Sequence, residues 1–339
     1  GSSFGPRRGT DAPAAEVTHL LTINYWRRTL ASGTVYTTAF AHHSVAKAAR
    51  LAGIRAAHIR TVPCTGELKI DIEAAAAMIS ADRRNGLRPF LIVGTAGTTD
   101  TGTIDPLVEM ADLAQRERMW MHVDAAYGGF FRLTERGRDR LAGTERADSI
   151  TLDPHKTLFL PFGTGALVVR DSSKLYAAHE GTGDYLQDTE LTDGLPDFAH
   201  MGPELSREVR GLRAWLPLHL HGVSAFREAL NEKLDLTQLV YETLTSIPEL
   251  EVPQAPDLST VIFRFRALNT STAAADEADR KTRLLLDRIN SYGSVLLSST
   301  VVNNRQTIRV CVVAHRTHHA HVAKALEIIA CETAGLADL

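Results

Sequence analysis

The 339-residue chain has few cysteines, little net charge and no long apolar run. Its three cysteines are an odd number without CxxC spacing, which excludes a disulfide framework and is typical of reduced thiols in the cytoplasm. No stretch approaches the roughly 20 apolar residues of a membrane-spanning helix, so we expect no membrane association. The formal net charge of −3 provides no basic surface, so we do not expect nucleic acid as a partner.

Motifs of several other enzyme classes are absent. The chain contains no GxxxxGK[ST] phosphate loop, no complete GxGxxG and no HExxH. Their absence argues against nucleotide hydrolases, dinucleotide-dependent dehydrogenases and zinc proteases.

Short apolar runs alternate with helical stretches in the first half of the chain. The runs are TVYTTA, AHIRTV, PFLIVGTA, WMHVD and DSITLD. Apolar strands separated by helices predict a mainly parallel sheet that is covered on both faces. A long helical region at about 204–247 follows, and TVIFRFRA and TIRVCVV then predict two more strands, each followed by a helix. We therefore expect a large α/β domain over residues 1–248 and a small α+β domain over residues 249–339.

Polar residues follow three of the predicted parallel strands, namely Thr98, Asp124 and Lys156. Ligands of parallel sheets bind at the carboxyl ends of the strands. A lysine amine attacks an aldehyde when its pKa is lowered, and pyridoxal phosphate supplies such an aldehyde. A nearby carboxylate keeps the cofactor's ring nitrogen protonated, and the small residues that follow Asp124 leave space for a flat ring. Singly, Lys156 could be a solvated lysine and Asp124 a helix cap, but together they favour a pyridoxal phosphate site.

A family resemblance is carried by three segments in this order: VGTAGTTDTGTIDPL, HVDAAYGG and RADSITLDPHKTLFLPFGTGALVVRD. They resemble the group II pyridoxal-phosphate-dependent amino-acid decarboxylases, which act on aromatic, acidic and diamino substrates, among others. The resemblance spans about residues 34–335. It implies the fold of the fold-type I pyridoxal enzymes, with a large, mostly parallel α/β domain and a small C-terminal α+β domain. It also implies a homodimer with shared active sites, an amino-acid substrate and pyridoxal 5'-phosphate as cofactor, and we expect this homodimer in the cytoplasm because of the cysteine pattern.

The resemblance assigns cofactor contacts to five residues. It implies that Lys156 binds the cofactor covalently through its aldehyde and that Asp124 pairs with the ring nitrogen. Ala126 would lie beneath the ring, and His42 would stack on the substrate side. Thr98 would donate a hydrogen bond near the ring and Asp124.

The resemblance also implies the reaction, which is α-decarboxylation of an L-amino acid to an amine and carbon dioxide. Tyr185 in GDYLQD matches the tyrosine that returns a proton to the substrate's α-carbon, and its segment is polar, as an active-site lid is. His155 would lie beside the phosphate or the substrate. Arg207 and Arg210 match family arginines, which we expect to support this loop or the dimer.

Two departures from the family pattern keep other functions open. Thr157 follows the lysine where an aromatic or aliphatic residue is usual, and Thr164 stands where the family has Cys or Ala. The first 33 residues do not match the turn that holds the phosphate, so either part of the natural protein precedes this sequence or the phosphate is held differently. The alternatives are another pyridoxal phosphate reaction, such as aldehyde synthesis, lyase chemistry or condensation, and a non-catalytic or incomplete cofactor-binding partner.

Four further candidates have structural explanations. His315 and His319 are four residues apart, as metal ligands can be, but no carboxylate or cysteine pattern accompanies them and we expect surface histidines and no metal. For Arg309 we expect a structural role, with contact to a substrate carboxylate as the alternative. His43 is expected to begin a helix, with substrate contact as the alternative. Cys64 has no activating partner in the sequence and is expected to be unreactive.

Overall fold

A computed structural model describes residues 32–179 and 197–337 of the chain. Its larger sheet has the strand order β2-β1-β3-β4-β5-β6. The strands are β1 (Gly33–Thr38), β2 (Ile59–Val62), β3 (Arg88–Thr95), β4 (Trp120–Asp124), β5 (Ser149–Leu152) and β6 (Ala166–Val169). Strands β1 to β5 are parallel, whereas β6 pairs with β5 in the antiparallel direction. The prediction of a mainly parallel sheet is confirmed.

Helices follow the strands of this sheet, as the alternating sequence pattern predicts. They are α1 (His43–Leu51), α2 (Ile72–Arg84), α3 (Leu107–Arg116), α4 (Glu135–Arg140), α5 (Pro154–Thr157) and α6 (Ser172–His179). Helix α2 begins where the Asp71 carboxylate accepts a hydrogen bond from Ala74 N at 2.9 Å, since a free N–H at a helix start needs an acceptor. The apolar faces of α2 and α3 bury Ile79, Met110 and Leu113 in the main core.

Helix α7 (Gly211–Thr245) occupies most of the long helical region predicted at 204–247. It is broken at Gly222, whose φ of 73° and ψ of 157° are not helical and suit a residue without a Cβ. The half before the break exposes apolar side chains, whereas the half after it is buried at several positions. In the described residues, no helix combines the length and the apolar character needed to cross a membrane.

A second sheet, with the strand order β7-β8-β10-β9, forms the small α+β part of the chain. Its antiparallel strands are β7 (Leu250–Glu251), β8 (Thr260–Phe265), β9 (Ser298–Val302) and β10 (Arg305–Cys311), and they pack against α8 (Thr272–Ser291) and α9 (His319–Ala337). The two predicted strands and the two predicted helices of the carboxyl-terminal part are present in the expected order, whereas β7 and β9 were not predicted.

Helix α7 contributes to the cores of both parts. Leu230 and Leu234 belong to the core of the large sheet. Leu236, Val240 and Leu244 lie before residue 249 and yet belong to the core of the small sheet. The division at residue 248 stays a prediction.

Candidate active site

The parallel register brings strand ends together beside the predicted site. Thr95 at the end of β3 lies opposite Asp124 at the end of β4, and Asp124 lies opposite Thr151 of β5. Helix α5 begins at Pro154, and proline in the first turn favours a helix start because it needs no N–H partner. This short helix carries Lys156 to the edge of the sheet at which Asp124 lies.

A cavity of about 660 Å³, which we call the inner cavity, lies between this edge of the sheet and helix α1. His42, Asp124, Ala126 and Lys156 line it together. Its apolar wall is formed by side chains of α1, of the strands and of the segment that follows α1, including Val35, Val45, Ala48, Ile54, Leu91 and Val93. Four of the predicted cofactor-binding residues therefore share one cavity.

Asp124 presents a carboxylate to this cavity. Its Oδ1 accepts a hydrogen bond from Ala126 N at 3.2 Å. None of the ion pairs formed within residues 32–179 and 197–337 includes Asp124. A partly buried carboxylate without a cationic partner suits a ligand with a positively charged group.

Lys156 reaches the inner cavity with a side chain that is 41% exposed. Its Nζ lies 3.0 Å from Asp153 Oδ2, and its backbone N–H donates to Asp153 O at 2.9 Å. Asp153 also lines the inner cavity. Sequence reasoning missed Asp153, although its position three residues before the lysine, one helical turn away, could have identified it.

His42 caps helix α1 at the rim of the inner cavity. Its Nδ1 accepts from Ser44 N at 3.4 Å and lies 2.6 Å from Ser44 Oγ. The ring of His43, which begins the helix, is 4.2 Å from the ring of His42. These contacts orient the His42 ring on the cavity wall.

Thr98 lies beside the inner cavity but does not line it. It is buried, its hydroxyl lies 2.7 Å from Thr101 Oγ1, and it accepts from Thr103 N at 3.2 Å. Thr95 lies closer to Asp124 by strand register, is only 3% exposed and lines the inner cavity. Its hydroxyl has no hydrogen-bond partner in the described residues.

A second cavity, of about 530 Å³, meets the inner cavity at Lys156. We call it the outer cavity. Its walls come from the large α/β part and from the small sheet, and they include Thr98, His155, Phe159, Thr260, Arg309, Cys311 and His315. Tyr127 and Thr99 line both cavities. The outer cavity therefore joins the predicted site to the carboxyl-terminal part of the chain.

Tyr127 connects the two parts of the chain. Its hydroxyl lies 2.5 Å from Ser259 Oγ and 3.3 Å from Cys311 Sγ. Burial raises the pKa of Tyr127 well above its ordinary value, so the phenol remains protonated. Sequence reasoning missed this residue, because its partners are distant in the chain.

His155 is fixed at the outer cavity by the loop that follows α5. Its Nδ1 lies 2.7 Å from Thr164 O, so Nδ1 carries the hydrogen that it donates to this carbonyl. Thr157 is fully buried and donates to Tyr127 O at 2.8 Å. The hydroxyl of Thr164 donates to another main-chain carbonyl at 3.1 Å. Both threonines that depart from the family pattern thus have satisfied hydroxyls.

Arg207, Arg210 and Arg309 do not line the inner cavity. Tyr185 lies outside the described residues. Arg207 donates to two main-chain carbonyls of its own region, and Arg210 directly precedes helix α7. Arg309 lines the outer cavity while it donates to Asp100 O at 2.9 Å.

The histidine cluster has other partners. His318 Nδ1 lies 2.7 Å from Glu232 Oε1, and His315 lines the outer cavity. Within the described ranges, no group of three or more metal-ligating side chains is arranged to hold a metal ion. Burial raises the pKa of the Cys64 thiol to about 11, which keeps it protonated and unreactive.

The inner cavity fits pyridoxal phosphate. Asp124 offers an unpaired carboxylate for a protonated ring nitrogen, and Lys156 offers an amine for an aldehyde. The buried Thr95 hydroxyl, which has no partner in the described residues, provides a polar group for a ligand. Ala126, whose side chain is a single methyl group, leaves space beside Asp124 for a flat ring.

The fold combines a mostly parallel sheet with a small antiparallel one, and its site suits pyridoxal phosphate. The profile of the pyridoxal-dependent decarboxylase conserved domain matches residues 27–266. The chain belongs to the pyridoxal-dependent decarboxylase family. The family resemblance and the expected cofactor are therefore confirmed.

Curated relatives carry the names of several amino-acid decarboxylases. The chain is 34% identical over 284 residues to an aromatic-L-amino-acid decarboxylase of Bacillus atrophaeus, with 84% of this chain and 59% of the relative covered. It is also 34% identical over 300 residues to an L-2,4-diaminobutyrate decarboxylase of Rhizobium meliloti, with 88% and 59% covered. The chain thus spans less than two thirds of the length of these relatives.

The fold is similar to that of solved decarboxylase structures. The structure of Oryza sativa TDC with PLP and tryptamine matches with a TM-score of 0.85 and 29% identity, covering 95% of this chain and 66% of that one. The predicted fold class is confirmed.

Proposed function

We propose that the protein catalyses α-decarboxylation of an L-amino acid with pyridoxal phosphate as cofactor. The observation that carries the proposal is the meeting of Lys156, Asp124, Ala126 and His42 in the inner cavity. When bound, the cofactor supplies an electron sink for the pair of electrons left on the substrate's α-carbon. The family to which the chain belongs supports this choice of chemistry.

Different residues of the inner cavity would hold different parts of the cofactor. The Lys156 amine would hold its aldehyde covalently, and the Asp124 carboxylate would keep a proton on its ring nitrogen. The His42 ring, fixed by its contact with Ser44, would hold the cofactor ring on one side, and Ala126 would leave space for it on the other. Thr98 keeps its predicted role near the ring as part of this proposal.

A proton must reach the substrate's α-carbon after carbon dioxide leaves. We assign its delivery to Tyr185 and assign His155, which lines the outer cavity, to the substrate or the phosphate. Changing Tyr185 to Phe should preserve cofactor binding and reduce amine formation, with aldehyde or ketone as by-product. An unchanged yield of amine, measured by mass spectrometry of the products, would show that Tyr185 does not deliver the proton.

The substrate class follows from the relatives and is part of the proposal. Tryptophan and aromatic-amino-acid decarboxylases support an aromatic substrate, and the diaminobutyrate decarboxylase supports a diamino acid. Release of labelled carbon dioxide from carboxyl-labelled amino acids tests both classes together with the acidic amino acids. Release from none of them in the presence of pyridoxal phosphate would refute the proposed function.

We further propose a cytoplasmic homodimer. The three cysteines are free thiols, as is usual in a reducing compartment. The first half of α7 exposes an apolar stripe with helical spacing, which consists of Leu212, Trp215, Leu216 and Leu220. A contiguous apolar stripe of this kind marks an interface, and a second copy of the chain is the partner we propose.

Light scattering coupled to gel filtration tests the dimer. Replacing Leu216 by Glu places a charge in the apolar stripe and should produce monomers. The matched control is Leu268→Glu, because Leu268 is exposed far from the stripe in sequence. A monomeric wild-type protein, or dissociation by both variants alike, would contradict the assignment.

A further inference from the structure

A row of polar side chains extends from the rear of the site along β4 and β5. Trp120 and His122 precede Asp124 by four and two residues, so all three point to the same face of β4. Trp120 Nε1 donates to Ser149 Oγ at 2.8 Å, and His122 Nδ1 lies 2.8 Å from the same oxygen. His122 Nε2 lies 3.2 Å from Thr151 Oγ1. These contacts connect four side chains in series.

The donor and acceptor groups of these side chains determine which atom donates in each hydrogen bond of the series. The indole of Trp120 can only donate, so Ser149 Oγ accepts from it. Ser149 is buried, and its hydroxyl hydrogen has no acceptor in the described residues other than His122 Nδ1. A buried donor without an acceptor is costly, so His122 Nδ1 accepts this hydrogen and Nε2 carries the ring's own. His122 Nε2 therefore donates to Thr151 Oγ1.

The series ends beside the carboxylate that holds the cofactor. Thr151 accepts from His122, so its own hydroxyl hydrogen is free for a further acceptor. Thr151 lies opposite Asp124 in the strand register, and both residues line the inner cavity. The Asp124 carboxylate is therefore an acceptor on the residue paired with Thr151 in the adjacent strand.

His122 is neutral in this arrangement. Burial lowers its pKa, against a smaller opposing effect of Asp124. The other titratable side chains that line the inner cavity are His42, Asp124, Tyr127, Asp153 and Lys156. A neutral imidazole does not compete with the cofactor for the charge of Asp124.

We propose that His122 is a positioning residue, which aims the Thr151 hydroxyl at Asp124 and so fixes the carboxylate for the cofactor's ring nitrogen. The proposal rests on the proposed function, because it assigns the purpose of the series to cofactor binding. His122 does not touch the reacting atoms and takes no part in bond making. Its effect is on the affinity for the cofactor and on the protonation of the bound ring.

The first test observes the imidazole directly and needs no cofactor. Nitrogen NMR of the histidine-labelled protein should show His122 as the Nε2–H tautomer near neutral pH. Replacing Ser149 by Ala removes the donor to Nδ1 and should change the tautomer ratio of this one histidine. An Nδ1–H tautomer or a charged ring in the wild-type protein would overturn the inference.

The second test compares two replacements that differ in reach. The amide nitrogen of Gln can occupy the place of Nε2 and donate to Thr151, whereas the shorter Asn cannot. We expect His122→Asn to weaken pyridoxal phosphate binding about tenfold, since one hydrogen bond in a buried site is lost. His122→Gln should remain within about threefold of the wild-type protein, and Thr151→Val should resemble His122→Asn.

The measurements are equilibrium dialysis with pyridoxal phosphate and the pH dependence of the bound cofactor's absorbance. The His122→Asn variant should shift the absorbance profile because the ring nitrogen loses its fixed partner, and thermal unfolding verifies that each variant is folded. Equal affinities and superimposable profiles for the Asn and Gln variants would overturn the inference while leaving the proposed function intact. If the wild-type protein binds no pyridoxal phosphate, the proposed function is refuted. The role of His122 in cofactor binding is then refuted as well, even if its tautomer is the expected one.

Discussion

The inner and outer cavities share Lys156 but are built in different ways. The inner cavity is formed by strand ends of one parallel sheet and by helix α1, all before residue 157. The outer cavity combines residues of that region with Thr260, Arg309 and Cys311 of the small sheet. We therefore propose that the inner cavity holds the cofactor and that the outer cavity provides access and contact between the two parts of the chain. Substitutions in the inner cavity should therefore reduce activity, whereas substitutions behind the outer cavity should reduce stability.

The largest effect is expected from Lys156→Ala. The change removes the amine that binds the aldehyde and should lower decarboxylation by roughly four orders of magnitude. The half-exposed lysine is not a core residue, so urea unfolding should be nearly unchanged. Decarboxylation within tenfold of the wild-type rate would show that the covalent site lies elsewhere.

A smaller loss is expected from Asp124→Asn. The variant keeps the shape of the side chain but cannot hold a proton on the ring nitrogen by charge, so we expect activity to fall about 100-fold or more. The absorbance of the bound cofactor should change in the same variant. The neighbouring Asp153→Asn variant, which loses only a contact to Lys156, is the control and should retain more activity.

Substitutions behind the outer cavity should lower the free energy of unfolding. Lys233 is fully buried, and its Nζ bonds Glu232 and the carbonyls of His315 and Thr317, which form the turn behind the outer cavity. Replacing Lys233 by Met removes the donor to the two carbonyls and should lower the free energy of unfolding by about 2–3 kcal/mol in urea titration. The control Lys324→Met removes an exposed pair and should change it by less than about 0.5 kcal/mol. Equal effects of the two substitutions would contradict the claim that Lys233 stabilises the turn behind the outer cavity.

The smallest effect concerns pH and the small sheet. The hydrogen bond from Arg264 lowers the pKa of Glu251 below its usual value of 4.5. The contribution of this pair is therefore complete above about pH 4.5 and is lost as the pH falls through the lower folded-state pKa. Replacing Glu251 by Gln should cost about 1–2 kcal/mol at neutral pH, and the difference from wild type should shrink below pH 4. A difference that stays constant down to pH 3 would show that the carboxylate charge is unimportant.

Much of the inner cavity could be predicted from the sequence. Asp124 and Lys156 each follow an apolar run, and the carboxyl ends of parallel strands meet at one edge whatever the exact register. Strand period and β-rich composition thus sufficed for the five parallel strands of the large sheet, whereas the antiparallel strand β6 was not predicted. His42, Ala126 and the remaining assignments came from the family resemblance.

The rest depends on register and on domain packing. Thr98 was expected beside Asp124, yet Thr95 is its register partner, and register is not visible in the residues of one strand. Tyr127 meets Ser259 and Cys311 only after the two parts of the chain pack together. His122 could be found only through its hydrogen bonds, because its neighbours on β4 resemble those of any buried strand.

Covalent attachment of the cofactor to Lys156 is the central claim. Borohydride reduction of the protein loaded with pyridoxal phosphate, followed by peptide mass mapping, measures it directly. The account predicts a pyridoxyl group on the peptide that contains Asp153 and Lys156, located on the lysine, and none in the Lys156→Ala variant. A modified lysine elsewhere, or no modification of a protein that still releases carbon dioxide, would contradict it.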